Sequence, residues 1–291
     1  MTGLVHIDGA FVPHDAARVG VYDHGLLYGD GIYEGLRVYD AVVFQAEQHI
    51  DRLYRSAKCL RLVLPPREEI RHAVCETVRR NGLRDAYVRL VVTRGTGQIG
   101  PDPRSCPRPT LIVIAEPTPP LHGSAGQSGL SATVATTRRN AVDATTAQIK
   151  SLNYLGSVLA RIEAQEAGVD EAIMLDARGF VSESPVCNVF LVRDGILLTP
   201  GESSGILRGI TRDFVIGLAR EAGVPVVERD VSPYELLTAD EVFLTGTHAE
   251  MAPVTRVGGV PVGTGEVGEV CRALTKSFQA AVRDPAHGTP L

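Results

Sequence analysis

Residues 149–192 read IKSLNYLGSVLARIEAQEAGVDEAIMLDARGFVSESPVCNVFLV, and the organisation of the whole chain follows from them. Leu155, Val158, Leu159 and Ile162 recur at helical spacing, and Gly168 after Ala167 is a helix stop. Residues 171–176 then have the pattern of a strand, Ala177-Arg178-Gly179 that of a hairpin turn, and residues 180–183 that of the returning arm. Lys150 therefore stands at the mouth of a helix and Glu183 on the second arm of a hairpin. That layout lets a lysine and a carboxylate far apart in sequence meet in one pocket. Taken alone, each has a plainer reading: a lysine at a helix start is usually solvated, and a strand glutamate is usually exposed.

Upstream, VHIDGAFVP alternates apolar and polar residues around Asp8-Gly9, the signal of an opening β-hairpin. Residues 26–44, LLYGDGIYEGLRVYDAVVF, read as a glycine-loosened strand in which Tyr28, Tyr33 and Arg37 alternate with glycines at 29, 31 and 35. Glycine inside a strand marks close approach of a ligand or of another backbone, although a plain glycine-loosened strand with core tyrosines has the same pattern. Residues 47–62 put Ile50, Leu53, Ala57 and Leu60 on one helical face, with Arg52 beside it in the position of a snorkelling surface side chain. A second helix is predicted over 67–81, with Ile70, Val74 and Val78 inward and Asn81-Gly82 as its cap. Strands follow at 86–94 and 110–115, joined by a long glycine- and proline-rich loop of the kind that is often functional. On the first of these strands Tyr87 and Arg89 share a face, and the arginine calls for an anion, either a ligand carboxylate or a structural ion-pair partner.

Composition shifts at residues 116–129, EPTPPLHGSAGQSG, which predicts a linker at 118–129 between a domain of residues 1–117 and one of residues 130–291. The second part opens with the strand LSATVATT and continues through Arg138-Arg139-Asn140 to Lys150. CNVFLV and GILLTP pair around Asp194-Gly195. Gly209-Ile210-Thr211 opens a helix with Phe214, Val215, Leu218 and Ala222 inward and Gly223 as its stop. Its free N–H groups and the Thr211 hydroxyl make an anion site, although threonine there also serves as a plain N-cap. The strand EVFLTG ends in Thr247-His248, a second glycine-threonine turn, and the polar tail beyond Ala281 is expected to fray.

With 291 residues, 44% hydrophobic and 22% charged, the chain has material for a large core. A net charge of -5 and scattered arginines give no footprint for nucleic acid. No apolar run reaches the roughly 18 to 20 residues of a membrane span, and the start lacks a charged-then-apolar leader, so a cytoplasmic location is expected. Cys59, Cys75, Cys106, Cys187 and Cys271 form no C-x-x-C pair and read as reduced thiols, with no metal site expected.

IKSLNYL, the glycine turn and VSESPVCN together closely resemble the fold-type IV (class IV) aminotransferases, which use pyridoxal 5′-phosphate (PLP). The resemblance runs through nearly the whole chain: YGDGIYEGLR, H-x-x-R-L at His49 to Leu53, Y-x-R at Tyr87 to Arg89, L-x-G-I-T-R at Leu207 to Arg212, and F-x-x-G-T-x-x-E at Phe243 to Glu250. It implies an α/β fold with mixed sheets in two domains. It also implies that Lys150 holds the cofactor covalently, that Glu183 pairs with the pyridine nitrogen and that Tyr154 hydrogen-bonds O3′. Arg52, Ile210, Thr211 and Thr247 would cup the phosphate, while Tyr28, Tyr33, Arg37, Tyr87, Arg89 and His248 would bind amino acid and 2-oxo acid substrates. Tyr154 in KSLNY departs from the K-x-x-N-R of the aminodeoxychorismate lyases, and TRGTGQIGP lacks the R-x-H pair of the D-amino acid transaminases. The Tyr87 and Arg89 pair is similar to branched-chain enzymes instead, though these often carry one more residue between the lysine and the asparagine. Arg94 is a further candidate for a carboxylate. The resemblance thus implies transfer of an amino group between branched-chain L-amino acids and 2-oxoglutarate in a homodimer or higher homo-oligomer. A D-amino acid transaminase or a lyase of the same fold is the alternative.

Overall fold

The computed structural model describes residues 3–117, 119, 121–123 and 128–291, so positions 118, 120 and 124–127 of the expected linker at 118–129 lie outside the described residues. The chain forms two compact units. The first comprises Met1–Pro119 with Ile149–Asn153 and Val282–Leu291, and the second Pro120–Gln148 with Tyr154–Ala281.

In the first unit, β1 (Leu4–Ile7) and β2 (Ala10–Pro13) form the opening hairpin. Its two turn residues, Asp8 and Gly9, sit at φ 48° and 88°, as a tight hairpin turn of matching twist requires. A short helix α1 (His24–Tyr28) follows where the continuous strand from Leu26 was expected. Asp23 caps it by accepting from the Gly25 N–H, and Gly29 ends it at φ 66°, so extended backbone starts only with β3 (Gly31–Tyr39). With β4 (Val42–Phe44), β5 (Ala86–Thr93) and β6 (Thr110–Glu116), these strands make an antiparallel sheet in the order C-terminal strand, β4, β3, β5, β6, β1, β2. That C-terminal strand, Gly288–Pro290, corrects the expectation of a frayed tail. It pairs with β4 over three residues, and the Leu291 N–H donates to Ala41 O, which covers an edge that would otherwise expose a row of backbone groups. Helices α2 (Ala46–Leu60) and α3 (Arg67–Arg80) pack Ile50, Leu53, Ala57, Ile70, Val74 and Val78 onto Leu36, Val88, Leu90 and Val113, as their periodicity predicts.

The second unit is built on a mixed sheet. Its elements are β7 (Leu130–Val134), α4 (Leu155–Glu166), β8 (Glu171–Ile173), β9 (Asn188–Arg193), β10 (Ile196–Thr199), α5 (Ile210–Glu221), β11 (Val226–Glu228), α6 (Pro233–Leu237), β12 (Glu241–Gly246), β13 (Glu250–Val257), β14 (Val260–Pro261) and α7 (Glu269–Ala281). The strand order is β11, β10, β9, β12, β13, β7, β8, with β14 on β13, and the β10/β11, β13/β7 and β7/β8 pairs are parallel. β9 and β12 lie at its centre, where Val189, Leu191, Val242 and Leu244 are buried.

Two helices present faces other than those the apolar pattern suggests. α4 buries Ser157, Ala160 and Ala164, while Leu155 is 71% exposed and Val158, Leu159 and Ile162 are also exposed. Its alanines cluster with Ala135, Ala172 and Met174, and small side chains there let the helix sit close against the strands. α5 turns Arg212, Val215, Ile216 and Ala219 inward rather than Phe214, Leu218 and Ala222. Arg212, 1% exposed, donates to Pro200 O at 3.0 Å and to Glu228 at 2.8 Å, and these bonds draw its face of the helix inward. Among the described residues no helix is long and apolar enough to cross a membrane.

Candidate active site

The lysine segment belongs to the first unit. The Tyr33 N–H donates to Lys150 O at 3.0 Å, the Leu152 N–H to Gly31 O at 3.0 Å, and the Lys150 N–H to Ser56 Oγ at 3.2 Å. A Cβ on Gly31 would lie 2.6 Å from Leu152 Cδ1 and 2.8 Å from Val92 O, so glycine at this point of β3 is what admits the segment. Lys150 Nζ then sits 4.5 Å from the centre of the Tyr33 ring, and the Arg89 guanidinium 4.3 Å from the same ring. In the β3/β5 register Gly35 faces Arg89 and Arg37 faces Tyr87, which puts Tyr33, Arg37, Tyr87 and Arg89 on adjoining positions of two strands. The Tyr87 hydroxyl would be only 2.3 Å from a Cβ at position 35, so the phenol lies across the strand at its glycine. Burial pushes the Tyr87 hydroxyl pKa up against the opposing charges of Arg89 and Arg37, which leaves it a neutral O–H donor at physiological pH. Among the described residues no carboxylate pairs with Arg89 or Lys150, so two cations share one aromatic ring with no protein anion between them. Arg89 is thus held in no structural ion pair among the described residues.

Arg52 is buried, not snorkelling. Its Nε and Nη2 bind both oxygens of Glu34 at 2.8 and 2.7 Å, and His49 Nδ1 lies 2.7 Å from Glu34 Oε2. Glu34 is fully buried on β3, where burial alone raises its pKa; the Arg52 charge and the hydrogen bonds from Arg52 and His49 outweigh that and hold it at about 2. Burial likewise keeps the His49 imidazole low, hence neutral. Glu34 thus fixes the direction of the guanidinium. Because its pKa is depressed, the stabilisation is complete above the unfolded carboxylate value, about 4.3, and is lost as pH falls toward the folded value. Glu34→Gln should therefore cost about 3 to 5 kcal/mol near neutrality, the penalty of breaking a buried pair. In thermal melts the gap between parent and variant should narrow below about pH 4. A gap that stays constant from neutral to acid pH would remove this assignment.

In the second unit Glu183 lies on the returning arm of an irregular hairpin, closed by the Leu175–Val181 bridge and by the Met174 N–H donating to Glu183 O. It is 5% exposed, not solvated. Arg139 Nη2 stands 2.6 Å from Oε1, Asn188 Nδ2 donates to Oε2 at 3.0 Å, and the Leu207 N–H reaches both oxygens at 3.1 Å. Three residues beyond Leu207, α5 begins. Its N-cap is Gly209, no side chain caps it, and Thr211 is a buried second-position residue, so the plain N-cap reading of Thr211 fails. The first-turn N–H groups and the helix dipole favour negative charge before Gly209. Thr247 and His248 occupy the tight turn from β12 into β13, half-buried, and His248 O accepts from the Leu121 N–H at 2.9 Å. Tyr154 is the half-buried N-cap of α4.

Three expected residues have further partners within the first unit. Tyr28, 37% exposed at the end of α1, accepts from the Gly100 N–H at 2.6 Å and so ties the long loop to the helix. Arg37 is buried with its guanidinium over the Tyr39 ring at 5.1 Å. Arg94 is no carboxylate binder of the site: it makes a two-pronged pair with Asp30 at 2.9 and 3.0 Å and donates to the carbonyls of Leu60 and Arg61. Sequence reasoning missed Glu34, His49, Arg139 and Asn188. Glu34 carried a signal, the one acid in a strand whose other residues apart from Arg37 are glycine, aliphatic or tyrosine, but its partners come from another element and only folding reveals them.

The sequence profile described as amino-transferase class IV matches residues 31–257. A Methanocaldococcus jannaschii protein described provisionally as a branched-chain-amino-acid aminotransferase is 51% identical over 276 residues, covering 94% of this chain and 95% of its own. The Escherichia coli branched-chain amino acid aminotransferase structure superposes with a TM-score of 0.94 at 36% identity, over 96% of this chain and 94% of its own. The Thermobaculum terrenum branched-chain amino acid aminotransferase in its PLP-bound holo form does so with a TM-score of 0.87 at 30% identity, over 98% and 96%. With the profile spanning most of its length and these relatives covering nearly all of it, the chain belongs to the class IV aminotransferase family.

Proposed function

We propose that this protein is a PLP-dependent aminotransferase that moves the amino group between branched-chain L-amino acids and 2-oxoglutarate. The observation that carries the substrate side is Arg89: half-buried beside Tyr87, over the Tyr33 ring, and with no carboxylate partner among the described residues. A substrate carboxylate satisfies it, and the Tyr87 hydroxyl donates alongside. The donor set suits PLP. A buried carboxylate meets the need of a ring nitrogen, and an uncapped helix start with a threonine, together with an arginine aimed by Glu34, meets that of a phosphate.

When bound, PLP supplies the electron sink for bond breaking at the substrate's α-carbon. Lys150 would hold the cofactor covalently, and its amine would move the substrate's α-proton as general base. Glu183 would hold a proton on the ring nitrogen, Tyr154 would donate to O3′, and Arg52, Ile210, Thr211 and Thr247 would bind the phosphate. Tyr28, Tyr33, Arg37 and His248 complete the substrate contacts. Residues 1–117 and 130–291 are read as two domains joined by 118–129, a reading supported by the two compact units, with Ile149–Asn153 and Val282–Leu291 packed in the first. The exposed apolar stripe of α4 and the exposed Val21 and Leu26 support a homodimer or higher homo-oligomer. Five free cysteines accord with the reducing cytoplasm.

The test is a panel of L- and D-amino acids, each mixed with the PLP form and followed as conversion to the pyridoxamine form. Fast conversion by L-leucine, L-isoleucine, L-valine and L-glutamate, and slow conversion by D-alanine and D-glutamate, is the expected result. Arg89→Ala should lose about two orders of magnitude in the L-series, since a charge-assisted hydrogen bond contributes about 1.5 to 3 kcal/mol. Preference for the D-series would overturn the substrate assignment, and release of pyruvate from aminodeoxychorismate without amino transfer would replace it with a lyase.

A further inference from the structure

We propose that Asn188 is a positioning residue that ties the carboxylate assigned to the ring nitrogen to the turn assigned to the phosphate, holding the two ends of the cofactor cradle at one fixed spacing. This rests on the reading of Glu183, Ile210 and Thr211 given above. Asn188 opens β9 and is 5% exposed. Its Nδ2 donates to Glu183 Oε2 at 3.0 Å and to Leu207 O at 2.8 Å. Both partners are pure acceptors, so only the amide nitrogen can face them and the orientation of the amide is set by chemistry. The Leu207 N–H returns to both oxygens of Glu183 at 3.1 Å, which closes a ring of hydrogen bonds through Glu183, Asn188 and Leu207.

The other face of the amide decides the residue at the helix start. A Cβ at position 209 would lie 2.0 Å from Asn188 Oδ1. Gly209 has φ -72° and ψ 136°, a conformation open to any residue, so space and not backbone freedom requires glycine there. One side chain therefore touches the carboxylate, the approach to α5 and the α5 N-cap. A rigid ligand bound at both ends is sensitive to their separation, and asparagine is the residue that sets it. Aspartate has the same shape but would place a carboxylate against a carboxylate and a carbonyl.

The experiment uses purified holoenzyme carrying Asn188→Ala, Asn188→Asp, Gly209→Ala or Asn188→Ala with Gly209→Ala. It follows the rate of PLP loss after dilution, the visible absorbance of the bound cofactor against pH, and the melting of the apo forms. Both Asn188 variants should lose PLP at least about tenfold faster, the scale of one hydrogen bond to a charged group, with a shifted absorbance profile. Gly209→Ala should reproduce the loss by displacing the amide, and the double variant should lose PLP no faster than Asn188→Ala, because the collision is gone. A merely structural asparagine would lower apo melting and leave retention and spectrum unchanged in the isosteric Asn188→Asp, and that result overturns the proposal. So does a double variant in which the two losses multiply. Glu183→Gln and Thr211→Val are measured in parallel. If they alter spectrum or retention and Asn188→Ala does not, only the link falls; if neither alters them, the cofactor assignments themselves fall and take the link with them.

Discussion

Replacing Lys150 with alanine should abolish turnover, by at least about four orders of magnitude, because general base catalysis alone contributes about 10² to 10⁴ and the covalent attachment is lost with it. The fold should survive. The lysine's backbone is held by two hydrogen bonds, from the Tyr33 N–H on β3 to Lys150 O and from the Lys150 N–H to Ser56 Oγ on α2, while its side chain makes a contact over the Tyr33 ring. Melting of the apo variant should accordingly fall by no more than the roughly 0.5 to 2 kcal/mol of a cation–π contact. In the parent, borohydride reduction followed by peptide mapping should fix the cofactor to the peptide containing residue 150, and the variant should yield no tagged peptide. A tag on a different peptide would show that another amine carries the cofactor.

Glu183→Gln should lower transamination by about 10² to 10³, the usual range for removing one preorganised electrostatic partner from a reacting centre, while covalent loading through Lys150 persists. The substitution has a second consequence. Arg139 sits 2.6 Å from Glu183 with its side chain 19% exposed, and removing the charge leaves that guanidinium without its carboxylate. Melting should therefore also fall, by up to the roughly 3 to 5 kcal/mol of a broken buried pair and by less to the extent that water reaches the arginine. Combining Glu183→Gln with Arg139→Met separates the two effects: stability should return, and activity should not. Recovery of activity in the double variant would make Glu183 a structural partner of Arg139 and nothing more.

The glycines of β3 do mark close approach, yet at Gly31 and Gly35 it is a side chain that comes in, Leu152 and the Tyr87 phenol, and Gly209, legible only as part of a helix start, admits Asn188. A missing Cβ is visible in any sequence. Its partner is chosen by strand register and loop path, which have no local signature.

What the sequence by itself determined is the class of elements and their local stops. The hairpin at Asp8-Gly9, helices α2 and α3 with their buried faces, the β9/β10 pair around Asp194-Gly195 and the strand Glu241–Gly246 follow from period and turn chemistry, which act between residues a few positions apart. The motifs around Lys150, Tyr87, Glu183 and Thr211 were legible for the same reason, since each is a short run. Only the tertiary structure decided which face of α4 and α5 turns inward, because small residues and one buried arginine there outweigh the apolar stripe. It alone gave the tail a strand to pair with, engaged Arg94 with Asp30, and bound Arg52 to Glu34 and Glu183 to Arg139 and Asn188. Charges buried away from water must find partners, and the partner lies wherever the fold brings an opposite charge or a donor within about 3 Å, at a separation along the chain that no local pattern encodes.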